Sequence, residues 1–323
     1  MMRRILFSAL LLGFSAGAAL AGASESVPAL IANGRVDEAL TTLRGHISQA
    51  PNDAEAHNLL CRAYFTLGDW DRGISACEKA VSLAPDNSAF HLWLGRVYGE
   101  KADHSSWMTA AGLAKHVRVE FEAAVQLDPK SVDARSDLAE FYLEAPGIVG
   151  GGRDKAEQQA NAVLPLDPAK AHWLFGRMAE KRHDLAAAEA EYKKSIDASN
   201  GAAAAWLNLG LFYKHVERWD DMEKALLHVR GAPLQERPDA LVDAAEILLH
   251  TQRNLPEATQ LLRAYLNGDS KVEQAPAFKA YFLLGTAGEK RGDKGDAADQ
   301  YRSALALAHE FRPAQEALQR VSR

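Results

Sequence analysis

Four prolines close similar phrases along the chain: Ala50-Pro51-Asn52-Asp53, Ala84-Pro85-Asp86-Asn87, Asp128-Pro129-Lys130 and Asp167-Pro168-Ala169. They stand 34, 44 and 39 residues apart. A period of this size is the mark of supersecondary units in series. Between the first two phrases, apolar residues recur at three- and four-residue steps in two runs, broken once at Gly68-Asp69. That pattern spells helix, turn, helix, stop. One such helix pair cannot bury its own apolar face, so neighbours must stack. The length of 323 residues would by itself suggest about two domains. The period predicts one all-α solenoid instead.

The repeated phrase resembles the tetratricopeptide repeat. The resemblance is carried by Trp206-Leu207-Asn208-Leu209-Gly210-Leu211-Phe212-Tyr213, and by Leu284-Gly285 followed by Gly292-Asp293 and Ala297. Eight units begin near Ser24, Ala54, Ser88, Val132, Ala169, Ala203, Asp239 and Phe278, covering residues 24–311. Residues 312–323 read as a final capping helix. The resemblance implies a right-handed superhelix whose first helices line a concave surface. The residue types have a physical reason. Gly95, Ala139, Gly176, Gly210 and Gly285 let two helix backbones approach, and large side chains such as Phe121, Tyr192 and Tyr301 fill the space opposite. The closing proline lacks an N–H and disfavours helix in the residue before it. It is missing from the last four units, where Asn200, Leu234, Asp269 and His309 stand near that place.

The first 23 residues read as an address. Met1-Met2-Arg3-Arg4 is a basic start, Ile5 to Phe14 an apolar run, and Ala19-Leu20-Ala21 or Ala21-Gly22-Ala23 a small-x-small cleavage site. The run is short for a membrane span. No later run reaches membrane length, so the mature chain is expected to carry no transmembrane segment and to end in the periplasm or outside the cell, as in exported bacterial repeat proteins.

Charge and motif content exclude more than they identify. Lys+Arg 37 against Asp+Glu 43 argues against a nucleic-acid binder. Eleven histidines contain no H-x-x-x-H or H-x-x-H pair, so no metal or cofactor is expected. His57, His91 and His172 fall at matching places near the starts of first helices, where packing is the simpler role. No paired carboxylates or nucleophile motif points to an enzyme. Cys61 and Cys77 lie eight residues either side of the turn at Asp69, which permits a disulfide between the two helices and equally two buried thiols.

Binding is the remaining chemistry. By helical phase, the concave positions are Asn58 and Arg62, Trp93 and Arg96, Ser136 and Glu140, Trp173 and Arg177, and Asn208. Arginine beside tryptophan is common hot-spot chemistry, and three arginines in series suggest an acidic or carboxylate-bearing ligand. Two units carry insertions between their helices, near 99–108 and 145–152. These read as neighbouring surface loops, or as a lip using Trp107 and Arg153; Gly150-Gly151-Gly152 ahead of a helix could also receive an anion. The expected function is an exported scaffold or adaptor that binds a protein or peptide in its groove. The alternative is a receptor for a small solute or cell-wall fragment.

Overall fold

The computed structural model describes residues 25–235 and 237–323; the address read at residues 1–23 lies outside them. The described residues form helix pairs in series. They are α1 (Val27–Ala32) with α2 (Val36–Gln49), α3 (Ala54–Leu67) with α4 (Trp70–Leu83), α5 (Ser88–Asp103) with α6 (Trp107–Leu127), and α7 (Val132–Glu144) with α8 (Arg153–Val163). Next come α9 (Pro168–Lys181) with α10 (Leu185–Ala198), and α11 (Ala203–His215) with α12 (Trp219–Val229). The last pairs are α13 (Ala240–His250) with α14 (Leu255–Asn267), and α15 (Ala277–Arg291) with α16 (Lys294–Leu307), followed by α17 (Arg312–Val321). No strand occurs among the described residues. The all-helical solenoid predicted from the period is the fold.

The phrases that punctuate the sequence are caps. Asp53 and Ser131 follow the closing prolines, and their side chains accept from the backbone N–H of Ala56 and Ala134. Inside the pairs, Asp69, Asp184 and Asp293 do the same for α4, α10 and α16. Each cap satisfies a donor that the helix leaves open and stabilises it by about 0.5–2 kcal/mol. Proline then serves a second purpose: the carbonyls of Pro51, Pro85 and Pro129 meet the side chains of His57, His91 and Arg135, at 3.0, 2.9 and 2.6 Å. His57 and His91 therefore tie a turn to the helix that follows it, while the third histidine of the series, His172, meets Glu191 at 2.8 Å.

Within a pair, glycine admits an aromatic ring. A β-carbon on Gly285 would stand 2.4 Å from the Tyr301 ring, and one on Gly95 would stand 2.5 Å from Phe121. Between pairs, a tyrosine latch repeats. Tyr98 donates to Glu78 at 2.6 Å and Tyr142 to Glu122 at 2.8 Å, while Tyr64 takes a bond from Arg44 at 3.1 Å. All three partners lie 20 residues apart in sequence. One register thus sets the angle at three successive joints.

The ends of the array meet. Phe278, Ala304, Ala308, Phe311 and Ala314 share one buried cluster with Leu30, Ile31, Leu40, Leu59 and Tyr64. Charge pairs join the same two regions: Arg62 with Glu273 at 2.8 Å, Arg72 with Glu310 at 2.6 Å, and His309 with Asp37 at 2.8 Å. Gly34, at φ 79°, sits against the start of α15, and a β-carbon there would be 2.9 Å from the backbone nitrogens of Ala277 and Phe278. The sequence suggested an open stack with α17 over its last face. In the structure α17 lays Ala317 and Val321 on α16, while Phe311 and Ala314 turn towards the first units.

The first insertion is not a loop. Glu100 to Asp103 extend α5, and α6 begins at Trp107 and runs for 21 residues, leaving a short turn at His104–Ser106. Helix-favouring residues on both sides lengthen the pair instead of opening it. The second insertion folds as a 3-10 turn over Gly147–Val149 and packs on the lengthened partner, Gly150 lying against Arg118.

Substituting Gly285→Ala is expected to cost about 1–3 kcal/mol through the clash with Tyr301. Gly99→Ala, with nothing within 4 Å of its β-carbon, should instead gain about 0.5–1 kcal/mol of helix stability. Thermal unfolding of the two variants beside the parent checks both signs.

Candidate binding surface on the concave face

The first helices of successive pairs contact one another, α3 with α5, α7 with α9, α11 with α13, and α13 with α15. Their shared face is the inner wall of the array. Glu100 on α5 and Lys279 on α15 each feel the other's charge from opposite parts of the ring.

Trp93 is the centre of the wall's first half. The guanidinium groups of Arg62 and Arg96 lie over its ring, each 5.2 Å from the centroid, and Phe65 meets it edge-on at 5.5 Å. Trp173 repeats the arrangement with the Lys170 ammonium 4.3 Å above it. The cations are themselves held. Arg96 bonds Asp137 at 2.6 Å, and Arg177 bonds Glu140 at 3.1 Å and Glu144 at 2.7 Å.

These contacts correct the sequence reading in two respects. Asn58, Trp93 and Trp173 are not open groove positions: they are 2%, 8% and 8% exposed, and Ser136 is 1% exposed. They lie between neighbouring first helices, so the cations on top of them, not the rings, face the interior. Arg62, Arg96 and Arg177 are also not free for an acidic ligand, because carboxylates of this chain already neutralise all three. Glu140 and Asn208 remain half-buried on the wall. Asp133, Asp137 and Glu144 were the missed partners. With Glu140 they recur at three- and four-residue steps along α7, and that spacing was the signal that could have found them.

Trp107 and Met108 stand 79% and 66% exposed at the start of α6, away from this wall's ion pairs, and Arg153 is exposed at the start of α8. The glycine run offers no anion nest: the N–H groups of Gly150, Gly151 and Gly152 already donate to the carbonyls of Gly147, Pro146 and Tyr142. Cys61 and Cys77 are joined as a disulfide between α3 and α4, with their Cα atoms 5.2 Å apart. An open cleft of about 450 Å³ lies where α7, α9 and α11 end, lined by Glu144, Arg177, Glu180, Lys181 and His215 among others. No helix among the described residues is long and apolar enough to cross a membrane.

Residues 30–91 match the model of the tetratricopeptide repeat family. No curated protein matches the chain. Among solved structures, a thermophilic tetratricopeptide repeat protein of Thermus thermophilus is 20% identical with a TM-score of 0.47, covering 57% of this chain and 93% of its own. A tetratricopeptide repeat protein from Parabacteroides merdae is 16% identical with a TM-score of 0.39, covering 84% of this chain and 99% of its own. Human IFIT1 is 14% identical with a TM-score of 0.44, covering 85% of this chain and 68% of its own.

The interior is crowded with carboxylates. Burial, followed by the nearby charge of Asp239, pushes Asp243 up to about 7, against the pull of Arg237. Burial likewise raises Glu140 and Glu100 and lowers Lys279. For Asp243 the folded state therefore holds a proton that the unfolded chain releases near its ordinary value of about 4. Stability falls as pH rises through that window, because the folded state binds more protons there. Asp243→Asn removes the dependence. The variant should melt about 2–5 °C above the parent at pH ~8 and level with it near pH ~4; parallel melting curves at the two pH values decide the matter.

Proposed function

Because the chain is a tetratricopeptide repeat protein, we propose that it is a scaffold or adaptor that is exported through residues 1–23 and binds a protein or peptide segment on its concave face. The observation that carries this reading is the inner wall. Arg62, Arg96, Lys170 and Arg177 are fixed over Trp93 and Trp173 or against neighbouring carboxylates. A surface already ordered in this way loses little side-chain freedom when a partner arrives, so more of each contact appears as affinity. Repeat solenoids present extended concave surfaces of this kind to their partners. We assign the surface no catalytic step. For export, the support is the basic and apolar start of the chain together with the Cys61–Cys77 bridge, which suits an oxidising compartment.

A second reading has the cleft at Glu144, Lys181 and His215 in its favour. Its mixed charges and modest volume suit a small polar solute or wall fragment better than a peptide.

Crosslinking in the native envelope, followed by identification of what is attached, separates the two. A stoichiometric protein partner supports the scaffold, and thermal stabilisation by a small metabolite with no attached protein supports the receptor. Replacing Arg62, Arg96 and Arg177 together by alanine should weaken capture at least ~10-fold; undiminished capture by a folded triple variant rejects the concave site. Intact mass of the purified envelope form, without reductant, is expected to start near Ser24 and to contain no free thiol. A mature chain that keeps Met1, or carries two thiols, counts against export.

A further inference from the structure

The meeting of the ends closes the array into a ring, with the wall of first helices on its inside. Besides Glu100 and Lys279, which act on each other, the Arg237 guanidinium ahead of α13, held charged against burial by Asp239, also feels Asp133 at the start of α7. A segment bound on the wall must therefore enter either along the axis or through a break in the ring.

One joint is built differently from the others. Successive units pack helix on helix, as α4 does on α5 and α14 on α15, but among the described residues no helix pair packs extensively across the meeting of the ends. Side chains make that join: the cluster around Phe278, Phe311, Leu30 and Ile31, and three ion pairs at its edge. The Arg72–Glu310 and His309–Asp37 pairs are partly solvated, Arg72 being 44% and His309 68% exposed, and pairs of this kind hold by about 0–1 kcal/mol each; Arg62–Glu273, at 21% and 12%, is more shielded. On one side of the join, Arg62 and Arg72 belong to α3 and α4, which the Cys61–Cys77 bridge braces as a unit. On the other side, Glu273 and Glu310 flank the last pair, in the stretches just before α15 and after α16.

We propose that this seam is a gate: the ring parts between its first two units and its last, admits a partner to the concave face, and closes again. The gate rests on the reading that the concave face is the binding surface. The braced second unit is the fixed side, and the ion pairs are the part that yields first. The rate at which a partner reaches the wall then scales with the fraction of molecules open at the seam.

Alkylation of a single interior thiol tests this without any partner. Lys279→Cys places the thiol on α15, and a large maleimide–polyethylene glycol is compared with iodoacetamide, with Cys61–Cys77 left oxidised. Reversing two seam cations, Arg62→Glu with Arg72→Glu, should speed the large reagent at least ~10-fold, the loss of one exposed and one shielded pair plus new repulsion, and leave iodoacetamide unchanged. Adding Glu273→Arg and Glu310→Arg restores opposite charges across the seam and should return the slow rate. Gly34→Cys with Ala277→Cys, whose β-carbons would lie 3.3 Å apart, locks the seam on oxidation and should stop the large reagent. Gly34→Cys is strained at its left-handed φ, so the charge swap stands as an independent arm, with helicity by circular dichroism as the folding control. Equal rates for the large reagent in the reversed and restored proteins overturn the gate. Since no partner enters this assay, loss of the concave-binding reading in the capture experiment would show separately.

Discussion

A helix pair in this chain has apolar surface on two sides, and only another pair can cover each. Inside the array that demand is met by the neighbour in sequence. Among the described residues the first and last pairs each lack such a neighbour on one side, and Leu30 and Ile31 on α1 are covered there by Phe278 and Phe311. Burying a side chain of this size is worth about 1.5–3 kcal/mol, so two uncovered ends are a substantial loss. Here each end covers the other. α1 has six residues where other first helices have about fourteen, and its Leu30 and Ile31 share a cluster with Phe278 of α15 and Ala314 of α17. Closure is thus the same hydrophobic requirement that stacks the units, applied to the last two faces.

For the ends to arrive opposite each other, every joint must turn by nearly the right amount. The tyrosine latches and the proline-carbonyl ties supply that control locally. Each fixes one helix against the next with a directional bond, and a directional bond resists rotation in a way that apolar packing alone does not. The glycine–aromatic contacts set the spacing within a pair, since the Gly285 backbone can approach the Tyr301 ring only without a β-carbon. Small errors in such contacts would add along eight units. This is why the fold needs both a close-packed interior and a polar register.

What could be read in the chain follows from the range of the interaction. Caps at Asp69 and Asp293, glycines opposite rings, and the order of helices are decided within a few dozen residues, and periodicity exposes them. The seam joins Arg62 to a carboxylate 211 residues away and Arg72 to one 238 away, and no local pattern encodes where accumulated curvature will bring two ends. The site was legible to an intermediate degree. Helical phase placed Arg62, Arg96 and Arg177 on the inner wall, but their partners stand on other helices, so the arginines looked unspent. Extra residues between two helices suggest a loop at 99–108, whereas Glu100-Lys101-Ala102-Asp103 prolong α5, because helix propensity outweighs the break in the repeat.

The pairing of those arginines changes what kind of recognition the wall can offer. An acidic ligand would have to displace Asp137 or Glu140 from contacts already made, exchanging one ion pair for another with little net gain. Hydrogen-bonding capacity is left over elsewhere: the Asn58 Oδ1 and Ser136 Oγ atoms are buried without a partner, at equivalent positions on α3 and α7. A buried acceptor left empty costs about 1–3 kcal/mol. Selection of a partner by this surface therefore depends on fit to a rigid, internally neutralised wall more than on attraction of charge.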